Sequence, residues 1–108
     1  MTIGETLKKL RKKRKLSQKE VADKSNISRT YISEIESGRT NPTYDILERI
    51  GNVLNIPFPI ISYLSLDINS LPENHQKAFR DVESAVMAMI DDYIQNETKK
   101  RSAPILVK

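Results

Sequence analysis

Apolar residues recur at helical intervals along the first sixty positions. Ile3, Leu7 and Leu10 lie on one helical face, which predicts a first helix from about residue 2 to 14. Ser17 and Glu20 have the S-x-x-E spacing of a capping box, and Leu16 and Val21 bracket it as a hydrophobic staple. A second, short helix therefore starts at Gln18, with Val21 and Ala22 facing inward and Asn26 suited to the left-handed residue that ends it. Ser28 caps a third helix, and Ile27 with Ile32 repeats the staple. Ile32 and Ile35 face the core, and Gly38 stands where a terminator belongs. Asn41-Pro42-Thr43 opens a fourth helix with Ile46, Leu47, Ile50, Val53 and Leu54 as its stripe, and Asn55-Ile56-Pro57 closes it. Pro59 is compatible only with the first turn of a short fifth helix, Phe58–Leu64. No segment alternates as a strand would, so the expected fold class is all-α.

The last third follows a different plan. Residues 65–69 read as a linker, and Ser70-Leu71-Pro72-Glu73 as another capped start. A long helix is predicted from about Leu71 to Thr98, about 40 Å long at about 1.5 Å per residue. Phe79, Val82, Val86, Met89 and Tyr93 form a three-four stripe along it, broadened by Ala78, Ala85, Ile90 and Ile94. A five-helix domain is too small to cover such a helix fully. The stripe is expected to pair with a second copy through Phe79, Val82, Val86, Met89, Ile90 and Tyr93. The competing readings are packing on its own domain and binding of a different protein. The division expected is a helical domain over 1–66, a linker and oligomerisation helix over 67–98, and a basic flexible tail over 99–108.

Charge sharpens this division. Residues 1–66 carry 12 basic and 7 acidic side chains, residues 67–98 carry 2 and 7, and the last ten residues add four basics. A cationic first part followed by an acidic segment suits a polyanion-binding domain joined to a segment that binds elsewhere, the alternative being a basic solvated helix with chance asymmetry. The formal charge of +4 over 108 residues is the remainder. Cysteine is absent, which excludes disulfides and thiolate metal sites. His75 stands alone, so no histidine metal site or serine triad is expected. No glycine loop for phosphate and no nucleophile–base pair appears, and neither enzymatic activity nor a cofactor is expected. No apolar run approaches a membrane span and no secretory pattern opens the chain, so a cytoplasmic location is expected.

Two short helices joined by a tight connection and set between longer ones describe a helix-turn-helix. The residues that fill this pattern are Leu10-Arg11, Leu16-Ser17-Gln18, Val21-Ala22, Ile27 through Ser33, Ile35-Glu36-Ser37-Gly38 and Asn41-Pro42. In this combination residues 3–64 closely resemble the Xre/Cro-type helix-turn-helix of phage-repressor-like bacterial regulators. The resemblance covers about 60% of the chain. It implies a five-helix repressor-like domain that binds double-stranded DNA, with regulation of transcription as the function and repression by a dimer at a palindromic operator as its expected form.

The resemblance also implies roles for individual residues. Gln18 matches a phosphate-binding glutamine that braces the recognition helix, where helix N-terminal N–H groups already favour an anion. Arg29, Thr30 and Glu34 match base-contacting positions, and Ser33 shares their exposed arc. Arg29 suits a guanine edge, Thr30 a thymine methyl or a base-edge acceptor, and Glu34 a cytosine amino group. Glu34 has a second reading, as a carboxylate that restrains nonspecific binding. Tyr31 either reaches a phosphate or packs at the surface, and Ser28 is a cap first and a phosphate contact second. Arg39, Thr40 and Asn41 resemble a second phosphate clamp. Arg11 and Glu36 match an internal salt bridge, the alternative being that Arg11 touches DNA. The basic run at 8–15 reads mostly as a solvated face, with one or two lysines near the DNA backbone. A protein antagonist acting on the C-terminal helix is the rival reading, and no segment is set aside as a separate ligand-binding domain.

Overall fold

The computed structural model describes the backbone of residues 1–102 and the side chains of residues 1–97. It holds α1 (Ile3–Lys13), α2 (Gln18–Ser25), α3 (Arg29–Glu36), α4 (Tyr44–Leu54), α5 (Phe58–Leu64) and α6 (Glu73–Ser102), with one 3-10 turn at Ile68–Ser70. Among the described residues there is no strand.

The helices α1 to α4 each begin where a side chain takes an orphan N–H, whereas α5 has no side-chain cap and starts with proline in its first turn. Ser17 accepts from the Glu20 N–H at 3.0 Å, and Glu20 accepts from the Ser17 N–H at 3.0 Å. Thr2 and Glu5 form the same box on α1, in a T-x-x-E spacing. Ser28 caps α3 and Thr43 caps α4. The ends are marked by left-handed residues: Asn26 at φ 58°, Asn55 at φ 55° and Gly38 at φ 82°. Lys15, at φ 57°, turns the chain out of α1 with no sequence signal for it.

Leu7, Leu10, Val21, Ala22, Ile32, Ile35, Ile50, Leu54, Ile61 and Leu64 are buried together, with Ile27 and Ile56 added from the connections. Burying an aliphatic side chain of this size stabilises by about 1.5–3 kcal/mol, so this aliphatic cluster holds the first five helices together. Gly4 lets α1 lie directly on the end of α3. A Cβ at this position would run into the Ile35 carbonyl oxygen.

The C-terminal helix differs from expectation at both ends. Ser70 does not cap it, because the Ser70 hydroxyl donates to the Asp67 carbonyl at 2.6 Å inside the 3-10 turn. Leu71 is extended, at φ −86° and ψ 154°, as a residue before proline prefers. The helix therefore starts at Glu73 rather than Leu71 and continues through Ser102 rather than stopping at Thr98. The rest of the expected tail, 103–108, lies outside the described residues.

One face of α6 lies on the domain. Ile90 is buried, and Val86, Met87 and Ile94 pack against the core. Phe79 stacks on Tyr63 with centroids 5.0 Å apart. Lys13 pairs with Asp91 at 2.6 Å and Arg14 with Glu97. Asn55 donates to the Tyr93 hydroxyl at 2.9 Å and to Glu97 at 2.7 Å. The stripe expected to meet a second copy is thus divided. Ile90 is taken by the chain itself, while Val82, Met89 and Tyr93 stay 50%, 54% and 43% exposed.

Candidate nucleic-acid interface

α2 and α3 are joined by Asn26-Ile27-Ser28. The left-handed Asn26 reverses the chain, and the Ile27 N–H donates to the Ala22 carbonyl at 3.0 Å. Ile27 is buried beneath the connection. Ser28 is exposed, and its hydroxyl oxygen accepts from the Tyr31 N–H at 3.1 Å. These contacts fix the angle at which α3 leaves the turn.

α3 has two chemically distinct faces. Ile32 and Ile35 are buried, and Tyr31 is half-buried against the core. Arg29, Thr30 and Ser33 are exposed, and their side chains have no hydrogen-bond partner among the described residues. Glu34 is half-buried beside them. The outward face thus presents a guanidinium, two hydroxyls and a carboxylate, a donor and acceptor set suited to base edges.

Beyond α3 the chain turns through Ser37 and Gly38, and the Arg39 N–H donates to the Glu34 carbonyl at 2.9 Å. This bond holds Arg39, Thr40 and Asn41 next to the end of α3, with Arg39 and Asn41 exposed and Thr40 half-buried. At the other border stands the start of α2. The capping box takes the Glu20 N–H, and helix geometry gives the Gln18 and Lys19 N–H groups no intrahelical acceptor. The helix dipole adds positive potential at that end.

The Glu36 carboxylate ties these parts together. Arg11 donates to it twice, from Nε at 2.7 Å and from Nη2 at 2.9 Å, and Gln18 Nε2 donates at 3.1 Å. The remaining Arg11 nitrogen donates to the Leu16 carbonyl at 2.8 Å. The Arg11 and Glu36 side chains are only 11% and 6% exposed. The hydrogen bond to Glu36 raises the Arg11 pKa further above its ordinary value, against the opposing effect of burial. Arg11 is therefore engaged inside the protein, as the salt-bridge reading expects. The Gln18 contact with Glu36 has no local signal, because the two residues are 18 positions apart.

The basic run is divided by use. Lys13 and Arg14 pair with α6, while Lys8, Lys9, Lys12 and Lys15 are exposed. Arg14 also donates to the Leu54 carbonyl at 2.6 Å, at the far end of α4 from the Arg39–Asn41 connection.

A short capped helix, a left-handed turn and a second helix with a bare polar face define a helix-turn-helix protein. The family model described as helix-turn-helix matches residues 7–61, just over half of the chain. The chain belongs to this family, in its Xre/Cro-type branch. It is 45% identical over 56 residues to the immunity repressor protein of Bacillus phage phi105, a match covering 52% of this chain and 39% of the phage protein. It is 36% identical over 85 residues to the HTH-type transcriptional regulator YqaE of Bacillus subtilis strain 168, covering 79% of this chain and 66% of that protein. The chain thus spans less than two thirds of the length of either relative. The fold is similar to that in a solved SinR protein/SinI protein complex, with a TM-score of 0.56, 25% identity, and coverage of 94% of this chain and 100% of that one.

Proposed function

We propose that the protein is a sequence-specific double-stranded DNA-binding transcriptional repressor that acts as a dimer on a palindromic operator. The observation that carries this reading is the outward face of α3. Arg29, Thr30 and Ser33 are exposed without side-chain partners among the described residues, while Ser28, Ile32 and Ile35 hold the helix in place. In this reading Arg29, Thr30, Ser33 and Glu34 read base edges in the major groove. Gln18, Ser28, Tyr31, Arg39, Thr40 and Asn41 grip the phosphates on either side. The relative named as an immunity repressor supports repression, and the one named as an HTH-type transcriptional regulator supports a role in transcription. Two copies, related by a two-fold axis, would meet half-sites about one helical turn apart.

Selection of bound sequences from a random duplex pool tests this proposal. Enrichment of a two-fold symmetric motif is expected, with affinity falling as salt rises. Absence of any preferred sequence would overturn it.

A second reading has a specific observation behind it. The likeness to the SinR/SinI complex extends over 94% of this chain, and so beyond the helix-turn-helix segment. A protein antagonist or partner that binds α6 fits this likeness and the exposed Val82, Met89 and Tyr93. Light scattering on the purified full chain separates the two: a dimer favours self-pairing, and a monomer that captures a heteromeric partner favours the antagonist reading.

A further inference from the structure

A concavity lies away from α3, where the connection between α4 and α5 faces α6. Its volume is about 120 Å³. Ile56 and Ile60 line one side, Ile90 and Ile94 the other, and the half-exposed Met89 stands at its lip. The lining is almost wholly apolar.

The polar groups at its mouth are already engaged with one another. The Arg14 guanidinium lies 5.5 Å from the Tyr93 ring centroid and pairs with Glu97. Asn55 donates to the Tyr93 hydroxyl and to Glu97. A charged ligand entering here would shed water and find few free hydrogen-bond partners, which is costly. A neutral apolar ligand meets no such penalty. An enclosed apolar cavity of about 150 Å³ accepts one benzene ring, and this concavity has a similar volume while opening to solvent beside Met89. We infer that this cavity is a binding site for a small uncharged molecule of about one aromatic ring.

Its walls come from two parts of the molecule, the end of the five-helix core and α6. A ligand that fills it binds the docked form of α6 and stabilises that form by mass action. The site shares no residue with the outward face of α3, so its existence does not depend on DNA binding.

The test is a methyl-resolved NMR titration of the full chain with toluene, and with benzoate as the charged counterpart. Saturable shifts at the Ile56, Ile60, Ile90 and Ile94 methyls are expected with toluene. Benzoate is expected to bind roughly tenfold more weakly or worse, a difference of about 1.4 kcal/mol. Amide exchange along the docked part of α6 is expected to slow when toluene is present. Ile60→Phe should fill the cavity and abolish the shifts. Met89→Phe, at the lip, should weaken toluene binding roughly tenfold and serves if Ile60→Phe loses its helical signal. Unsaturable or absent shifts, benzoate binding as tight as toluene, or unchanged toluene binding in a folded variant would each overturn the inference.

Discussion

Glu36 is a shared acceptor: its carboxylate takes two N–H groups from Arg11 and one from Gln18. Removing one partner leaves a buried charge uncompensated, so Arg11→Ala is expected to lower unfolding free energy by about 3–5 kcal/mol. The paired change Arg11→Met with Glu36→Leu should recover much of that loss, as measured by urea denaturation, because neither charge is then stranded. The exposed residues behave differently. Arg29→Ala should leave stability within about 0.5 kcal/mol of the parent and relax base preference at one position per half-site. Gln18 is half-buried, and in its proposed phosphate-binding role Gln18→Ala should weaken all sites more evenly, since a phosphate contact carries no base identity. Binding to a panel of single-base operator variants separates these outcomes. The helix-turn-helix resemblance implied the bridge, the outward arc and a brace from Gln18 to the recognition helix, but not that Glu36 is its acceptor, which requires the end of α3 to meet the start of α2.

At the level of elements, the caps were the most legible features. Ser17 with Glu20, Ser28, Asn26 and Gly38 all act where their types and spacing predict, because a cap is decided within one turn of chain. The boxes also give a pH dependence. Hydrogen bonds from the Thr2 backbone hold the Glu5 carboxyl below the ordinary glutamate range, and those from Ser17 do the same for Glu20. Both groups bind protons more weakly when folded than when unfolded. Their stabilisation is present above the ordinary glutamate pKa and is lost as pH falls through the lowered values. Denaturation midpoints taken from neutral down to about pH 3 should therefore fall in acid, less steeply for Glu5→Gln with Glu20→Gln. Packing between elements was less legible. Gly4 sits in an ordinary helical pattern, yet its missing Cβ is what lets α1 approach the Ile35 carbonyl. Gly4→Ala is expected to cost about 1–3 kcal/mol despite alanine's better helix propensity, because the clash is with backbone. Thermal melts of the two proteins would show it.

For the whole molecule, the acidic helix and the cationic domain are partly joined. Asp91 and Glu97 answer Lys13 and Arg14, and Ile90 seats α6 on the core. The outward residues Val82 and Met89 lie seven positions apart on one face and are half-exposed. If they form the proposed dimer contact, Val82→Glu with Met89→Glu should raise the dimer dissociation constant at least roughly tenfold while helical content is kept. Sedimentation equilibrium checks this, and an unchanged dimer would place the contact elsewhere. Ile90→Glu should instead loosen α6 from its own domain, with faster amide exchange along that helix, because the charge would be buried.

The local order of residues decided the helix count, most helix starts and stops, the inward faces and the surface offered by α3. These depend on periodicity and capping within a few residues. The three-dimensional fold decided which face of α6 is covered, where Lys13 and Arg14 are engaged, and that a cavity remains beneath Met89. Those outcomes join residues 16 to 83 positions apart. They rest on the sum of weak contacts between surfaces, and no short stretch of sequence carries that sum.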